Sequence, residues 1–156
     1  MKKPSIEHAT FSIERVYDAT PARVFAAWSN PQNKLRWFFC DPDWKITEHA
    51  FDFRVGGRER LSVRPPGGAL HTMDALYQDI HDSRRIIYTY DMYIASSRIS
   101  VSLASIELLP ESSATRLIFT EQAAYLDGLS TAKEREEGTR IGLDNLPRFL
   151  AEQEPS

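Results

Sequence analysis

Residues 131–152 read TAKEREEGTRIGLDNLPRFLAE. Ile141, Leu143, Leu146, Phe149 and Leu150 recur at the three- and four-residue steps that bring side chains to one side of a helix. The stretch from Thr131 to about Glu152 is therefore a terminal helix with an apolar stripe. Gly138 and Gly142 fall one turn apart on it. A glycine inside a helix costs about 1 kcal/mol relative to alanine, so a pair of them implies either close approach by another element or space left open beside the helix. Pro147 removes one backbone bond at about 3 kcal/mol where nothing compensates, and a kink is expected near Leu143 to Leu146. The charges from Lys133 to Glu137 read as solvated first turns, with acids near the positive end of the helix dipole.

Before that helix, the chain from Ile46 to Phe119 is strand material cut by turn signals. Phe51, Phe53 and Val55 alternate up to Gly56-Gly57, a tight hairpin turn, and Glu59, Leu61 and Val63 alternate after it until Pro65-Pro66-Gly67-Gly68. Met73, Ala75 and Tyr77 form the next run. Asp82-Ser83 turns into Ile86, Tyr88, Tyr90 and Met92; Ile99 to Leu108 and Leu117 to Glu121 complete the set. Many short hairpin-linked strands predict one antiparallel, strongly curved sheet.

Nearer the amino terminus, Phe11, Ile13, Arg15 and Tyr17 share one face of an alternating strand. Thr20 then caps a helix with Pro21 at its first position, and Val24, Phe25 and Trp28 form its apolar stripe. Asn30 and Pro31 repeat the signal, so a second short helix runs from Gln32 to about Phe38, carrying Leu35, Trp37 and Phe38. The order is thus one strand, two short helices, about six strands and one long helix. This predicts an α+β helix-grip fold, the sheet wrapped around the terminal helix, which at roughly 20 residues spans about 30 Å.

The chain has 156 residues, a length at which one domain buries about 70% of its unfolded surface. A single domain over residues 1–156 is expected, with its core at about 9–152. A formal net charge of -3 gives no long-range attraction to nucleic acid or an anionic membrane. No signal-peptide core or run of 18 apolar residues is present, and the lone Cys40 cannot form an intrachain disulfide, which together point to the cytoplasm. His8, His49, His71 and His81 show no ligand spacing, so no metal is expected. No glycine-rich loop opens a helix, so no nucleotide or other cofactor is expected.

Five segments carry a family resemblance: DATPARVFAAWSNPQNKLRWF, FDFRVGGRERLSV, ALYQDIHDSRRIIYTY, ATRLIFTEQAAYLDG and EEGTRIGLDNLPRFL. In this order they resemble the START-like (SRPBCC, birch-pollen-allergen-like) superfamily, and within it the family similar to the C-terminal domain of the activator of heat-shock protein 90 ATPase. The resemblance runs from about Phe11 to Leu150. It implies a cavity between curved sheet and terminal helix that takes apolar or aromatic small molecules, and in some relatives cyclase, dehydratase or hydrolase chemistry. Two positions depart from the family pattern. Thr139 stands where the family commonly has tryptophan, and Glu59 where it usually has an aromatic.

In this topology Trp28, Trp37, Phe38, Phe51 and Phe53 converge with Tyr88, Tyr90 and Phe119 on one interior. Met73 and Tyr77 join them, while Ser102, Ala104, Ala75, Gly138 and Gly142 leave room. Large walls over small floors describe a ligand pocket; the alternative is that the aromatics fill the space. Arg15 and Glu121 both point inward by strand parity and are expected to form a buried ion pair, either on the cavity wall or sealing the sheet seam. Glu59 and Tyr88 are weak catalytic candidates, since an acid with a desolvation-raised pKa beside tyrosines suits acid-base work on a carbonyl compound. The plain alternative is an acid reaching solvent. Three functions follow: binding of a small hydrophobic or aromatic molecule, an enzyme in the same cavity, and a chaperone-binding module.

Overall fold

The computed structural model describes residues 4–38 and 41–153; Cys40 lies outside the described residues. Strand β1 (Ile6–Tyr17) leads into α1 (Pro21–Ser29) and α2 (Pro31–Trp37). Strands β2 (Lys45–Phe51), β3 (Arg58–Arg64), β4 (His71–His81), β5 (Arg85–Ile94), β6 (Ser97–Glu111) and β7 (Ala114–Leu126) follow, and α3 (Ala132–Glu152) ends the fold. The seven strands form one antiparallel sheet in the order β1-β7-β6-β5-β4-β3-β2. Each strand from β2 to β7 pairs with the next, and the chain closes the far side by laying β1 beside β7. This is the helix-grip arrangement, α+β.

Local chemistry sets the helix ends. The Thr20 hydroxyl accepts from Arg23 N, and the Asn30 side chain accepts from Gln32 N and Asn33 N. With Pro31 at its first position, α2 starts one residue earlier than the sequence suggests and turns away from α1. The β2–β3 connection is longer than a two-residue hairpin. β2 ends at Phe51, so Phe53 and Val55 belong to the loop and not to a strand. Gly56 has φ +84°, and a Cβ on Gly57 would lie 2.1 Å from the Asp52 carbonyl, so the loop tolerates only glycine at Gly57.

α3 is buried at Gly142, Leu143, Leu146, Phe149 and Leu150. Ile141, by contrast, faces solvent at 63% exposure and is not part of the apolar stripe. The helix continues unbroken through Pro147. The Leu143 carbonyl, which Pro147 leaves without its amide partner, accepts the buried Tyr17 hydroxyl at 2.8 Å. At the carboxyl end, the Leu150 carbonyl accepts from both Arg23 at 2.7 Å and the Gln153 amide at 3.3 Å, which satisfies one of the terminal acceptors.

Candidate functional site

Between α3 and the concave face of the sheet lies a partly open cavity of about 250 Å³. Helices α1 and α2 wall it because their caps fix the angle at which they meet. Trp37 Nε1 donates to the Ala27 carbonyl at 2.9 Å, and the Trp28 and Trp37 rings meet edge to face with centroids 4.7 Å apart. Trp28 also lies over Phe119 of β7, 6.3 Å away and nearly parallel. Phe38, Met73, Tyr88 and Tyr90 continue the lining, the strand residues falling on the inward side by period-2 alternation. Trp28 Nε1 is buried without a partner among the described residues.

Gly138 and Gly142 form part of the α3 lining. A Cβ on Gly138 would meet nothing within 4 Å, and one on Gly142 would make only an ordinary contact with the Phe38 carbonyl at 3.7 Å. Among the described residues the exposed Gly138 therefore borders open space, while the buried Gly142 has room for a methyl group beside the Phe38 carbonyl. Thr139 lines the same face and donates its hydroxyl back to the Arg135 carbonyl at 2.9 Å.

Nine of the lining residues expected from the sequence are thus brought together, and four are not. Phe51, Phe53, Glu59 and Tyr77 lie behind the wall in a separate cluster. Glu59 is 1% exposed, and its carboxylate accepts from Lys34 Nζ at 2.6 Å, from the Tyr77 hydroxyl at 2.8 Å and meets His49 Nε2 at 2.9 Å. Lys34, itself 2% exposed, sits 4.6 Å from the Phe38 ring centroid. Burial alone would raise the Glu59 pKa, but the Lys34 charge and the three hydrogen-bonding partners override it and bring the pKa down to about 2. A general base with a desolvation-raised pKa is therefore not what Glu59 provides. Its environment is that of a structural ion pair.

The Arg15–Glu121 pair does not form. In the β1–β7 register Glu121 faces Phe11 while Arg15 faces Leu117, so the two are four residues, about 13 Å, apart along the strands. Arg15, part-exposed, pairs with Asp144 of α3 at 2.7 Å. Glu121 is 1% exposed and takes its cation from α3 instead, with Arg135 Nη1 at 3.2 Å. Tyr90 and Ser102 donate hydroxyls to the same carboxylate at 2.9 and 3.0 Å. Arg135 also donates to the Ser100 hydroxyl at 2.7 Å and to Tyr90 at 2.8 Å. Desolvation opposes the Arg135 charge, but Tyr90 and Glu121 outweigh it and raise the pKa further. Arg135 is thus not one of the solvated residues of the first turns; it spans the cavity end.

Sequence reasoning missed Arg135, Trp44, His71, Leu61, Val63, Met92 and Leu143 as lining residues. Arg135 was traceable: it precedes Gly138 by three residues and Gly142 by seven, on the same helical line. Trp44 and His71 meet edge to face, ring centroids 5.1 Å apart, across a loop and a strand end whose contact no local pattern foretells. Desolvation lowers the His71 pKa below its usual value and favours the neutral ring. Tyr88 is 3% exposed, burial raises its pKa, and its hydroxyl makes no hydrogen bond among the described residues. The cavity is consequently an apolar enclosure with one unengaged hydroxyl and one internally satisfied ion pair.

Among solved structures the chain is similar to an uncharacterized protein from Rhizobium leguminosarum, at 46% identity and TM-score 0.92, covering 97% of this chain and 99% of that one. It is also similar to a protein from Rhizobium loti, at 43% identity and TM-score 0.87, with 93% and 99% covered. A protein from Chromobacterium violaceum shares the fold at 23% identity and TM-score 0.76, with 92% and 98% covered. The search of curated proteins found no match. The family model described as activator of Hsp90 ATPase homolog 1-like protein matches residues 18–152. The chain belongs to the activator of Hsp90 ATPase homolog 1-like family.

Proposed function

We propose that the protein binds a small hydrophobic or aromatic molecule in the cavity between the sheet and α3. The observation that carries this reading is the partly open cavity lined by Gly138 and Gly142 of α3, opposite a wall of Trp28, Trp37, Tyr88 and Phe119. A cavity of 150 Å³ accepts benzene, so about 250 Å³ suits a bicyclic molecule. No helix among the described residues is long and apolar enough to cross a membrane, and we place the protein in the cytoplasm. An enzymatic role finds no support in Glu59, whose carboxylate is fully engaged.

The test is Thr139→Trp, which introduces a bulky ring at the cavity lining. A neutral bicyclic probe such as 2-naphthol at 100 times its Kd stabilises the wild type by about 2.7 kcal/mol, a shift of about 5–10 °C for a chain of this size. The variant is expected to keep or exceed the wild-type Tm and lose the probe-induced shift. An equal shift in both proteins contradicts the cavity as the binding site. The family's chaperone association supplies a second reading, a docking module independent of the cavity. On that reading Thr139→Trp leaves chaperone binding intact and no small probe shifts the Tm.

A further inference from the structure

The walls of the cavity also bear on the charge of its occupant. Glu121 and Arg135 are the carboxylate and the guanidinium on its lining, and they pair with each other. His71, the third titratable group there besides the tyrosines, is held toward its neutral form. Behind the wall, the ammonium of Lys34 is matched by Glu59. An anion entering this enclosure would lie beside Glu121 or would have to displace it from Arg135. A cation would face the same problem with the partners reversed, and a charge left unpaired in an apolar site is strongly disfavoured.

Besides the buried indole Nε1 of Trp28, the wall carries one hydroxyl that remains unengaged among the described residues. The Tyr88 hydroxyl has no hydrogen bond among the described residues, although the neighbouring Tyr77 and Tyr90 hydroxyls are held by Glu59 and Glu121. From Tyr88 to Met92 the lining follows β5 over about 13 Å, long enough to place a ring system beyond that hydroxyl. We infer that the cavity takes an uncharged aromatic molecule bearing a hydroxyl or carbonyl oxygen, with that oxygen at the Tyr88 hydroxyl and its rings along β5, and that it discriminates against the corresponding carboxylates. This rests on the binding reading given above and narrows the ligand class within it.

Three matched probes test it by titration calorimetry: 2-naphthol, 2-naphthoate and 2-methylnaphthalene. Wild-type protein is expected to bind 2-naphthol at least tenfold more tightly than 2-naphthoate. Tyr88→Phe, which keeps the ring and removes the oxygen, is expected to weaken 2-naphthol about fivefold or more and to leave 2-methylnaphthalene unchanged. Glu121→Gln leaves Arg135 without its counter-charge and is expected to raise 2-naphthoate affinity at least tenfold, an effect that a purely structural Glu121 would not produce. Equal or tighter binding of 2-naphthoate by the wild type overturns the inference while leaving the cavity as a binding site. So does an unchanged 2-naphthol affinity in Tyr88→Phe. Failure of all three probes to bind the wild type overturns both the inference and the binding reading beneath it. The wild-type comparison and the near-isosteric Tyr88→Phe decide the matter even if Glu121→Gln does not fold.

Discussion

Glu59 owes its ionised state to neighbours contributed by three elements: Lys34 of α2, His49 of β2 and Tyr77 of β4. A carboxyl whose folded pKa of about 2 lies below its ordinary 4.5 contributes stability that is fully present above pH 4.5. That contribution is lost as pH falls toward 2, because the unfolded chain takes up the proton first. The urea midpoint of the wild type should therefore decline across this window. Glu59→Gln should be destabilised by about 3–5 kcal/mol at pH 7, since it strands the Lys34 ammonium in an apolar site, and its acid decline should be shallower. A pH profile identical to that of the wild type would contradict the ion-pair role. The inward placement of Glu59 was legible from strand parity and the departure from the family's aromatic. Lys34 was not, because a lysine in a short helix ordinarily reaches water, and only the tertiary demand of a buried acid draws it inward.

At the scale of elements, the two halves of α3 are held by different forces. The buried residues Leu143, Leu146, Phe149 and Leu150 anchor the carboxyl half to the core. From Ala132 to Ile141 no residue is fully buried, and Arg135 ties that half to Tyr90, Ser100, Ser102 and Glu121. Arg135→Met should raise amide exchange at residues 136–141 by tenfold or more, with residues 143–150 unchanged; uniform exchange along the helix would refute the division. Around Pro147, Tyr17→Phe removes the donor to the Leu143 carbonyl and should cost about 1–3 kcal/mol, the range for leaving a buried acceptor unmet. In a Pro147→Ala background residue 147 regains its own amide, so the cost of Tyr17→Phe should shrink; equal costs in the two backgrounds would refute the pairing. The helix itself was plain from its periodicity. The Tyr17 contact was not, since it joins residues 126 positions apart.

Across the whole molecule, the sheet topology was readable because period-2 alternation and turn residues mark each strand locally. Side-chain partners were not, because they depend on register. Phe11 and not Arg15 faces Glu121, and that offset moved the buried ion pair from the sheet seam to the cavity end. Phe53 left the strand pattern for the same kind of reason: the constraint at Gly57 lengthens the connection and turns Phe51 and Phe53 behind the wall. Nine of the expected lining residues still come together, because those on α1, α2 and α3 follow the helical period and those on β4, β5 and β7 follow strand alternation, both readable locally. That a small apolar molecule occupies this space is the central claim. Titrating isotope-labelled protein with 2-naphthol and following amide and indole resonances tests it most directly. The predicted result is saturable shifts at cavity-lining residues, among them Tyr88, Tyr90, Met92, Gly138, Gly142 and the Trp28 and Trp37 indoles. No shifts, or shifts at Val101, Leu103 and Ala124 on the outer face of the sheet, would contradict it.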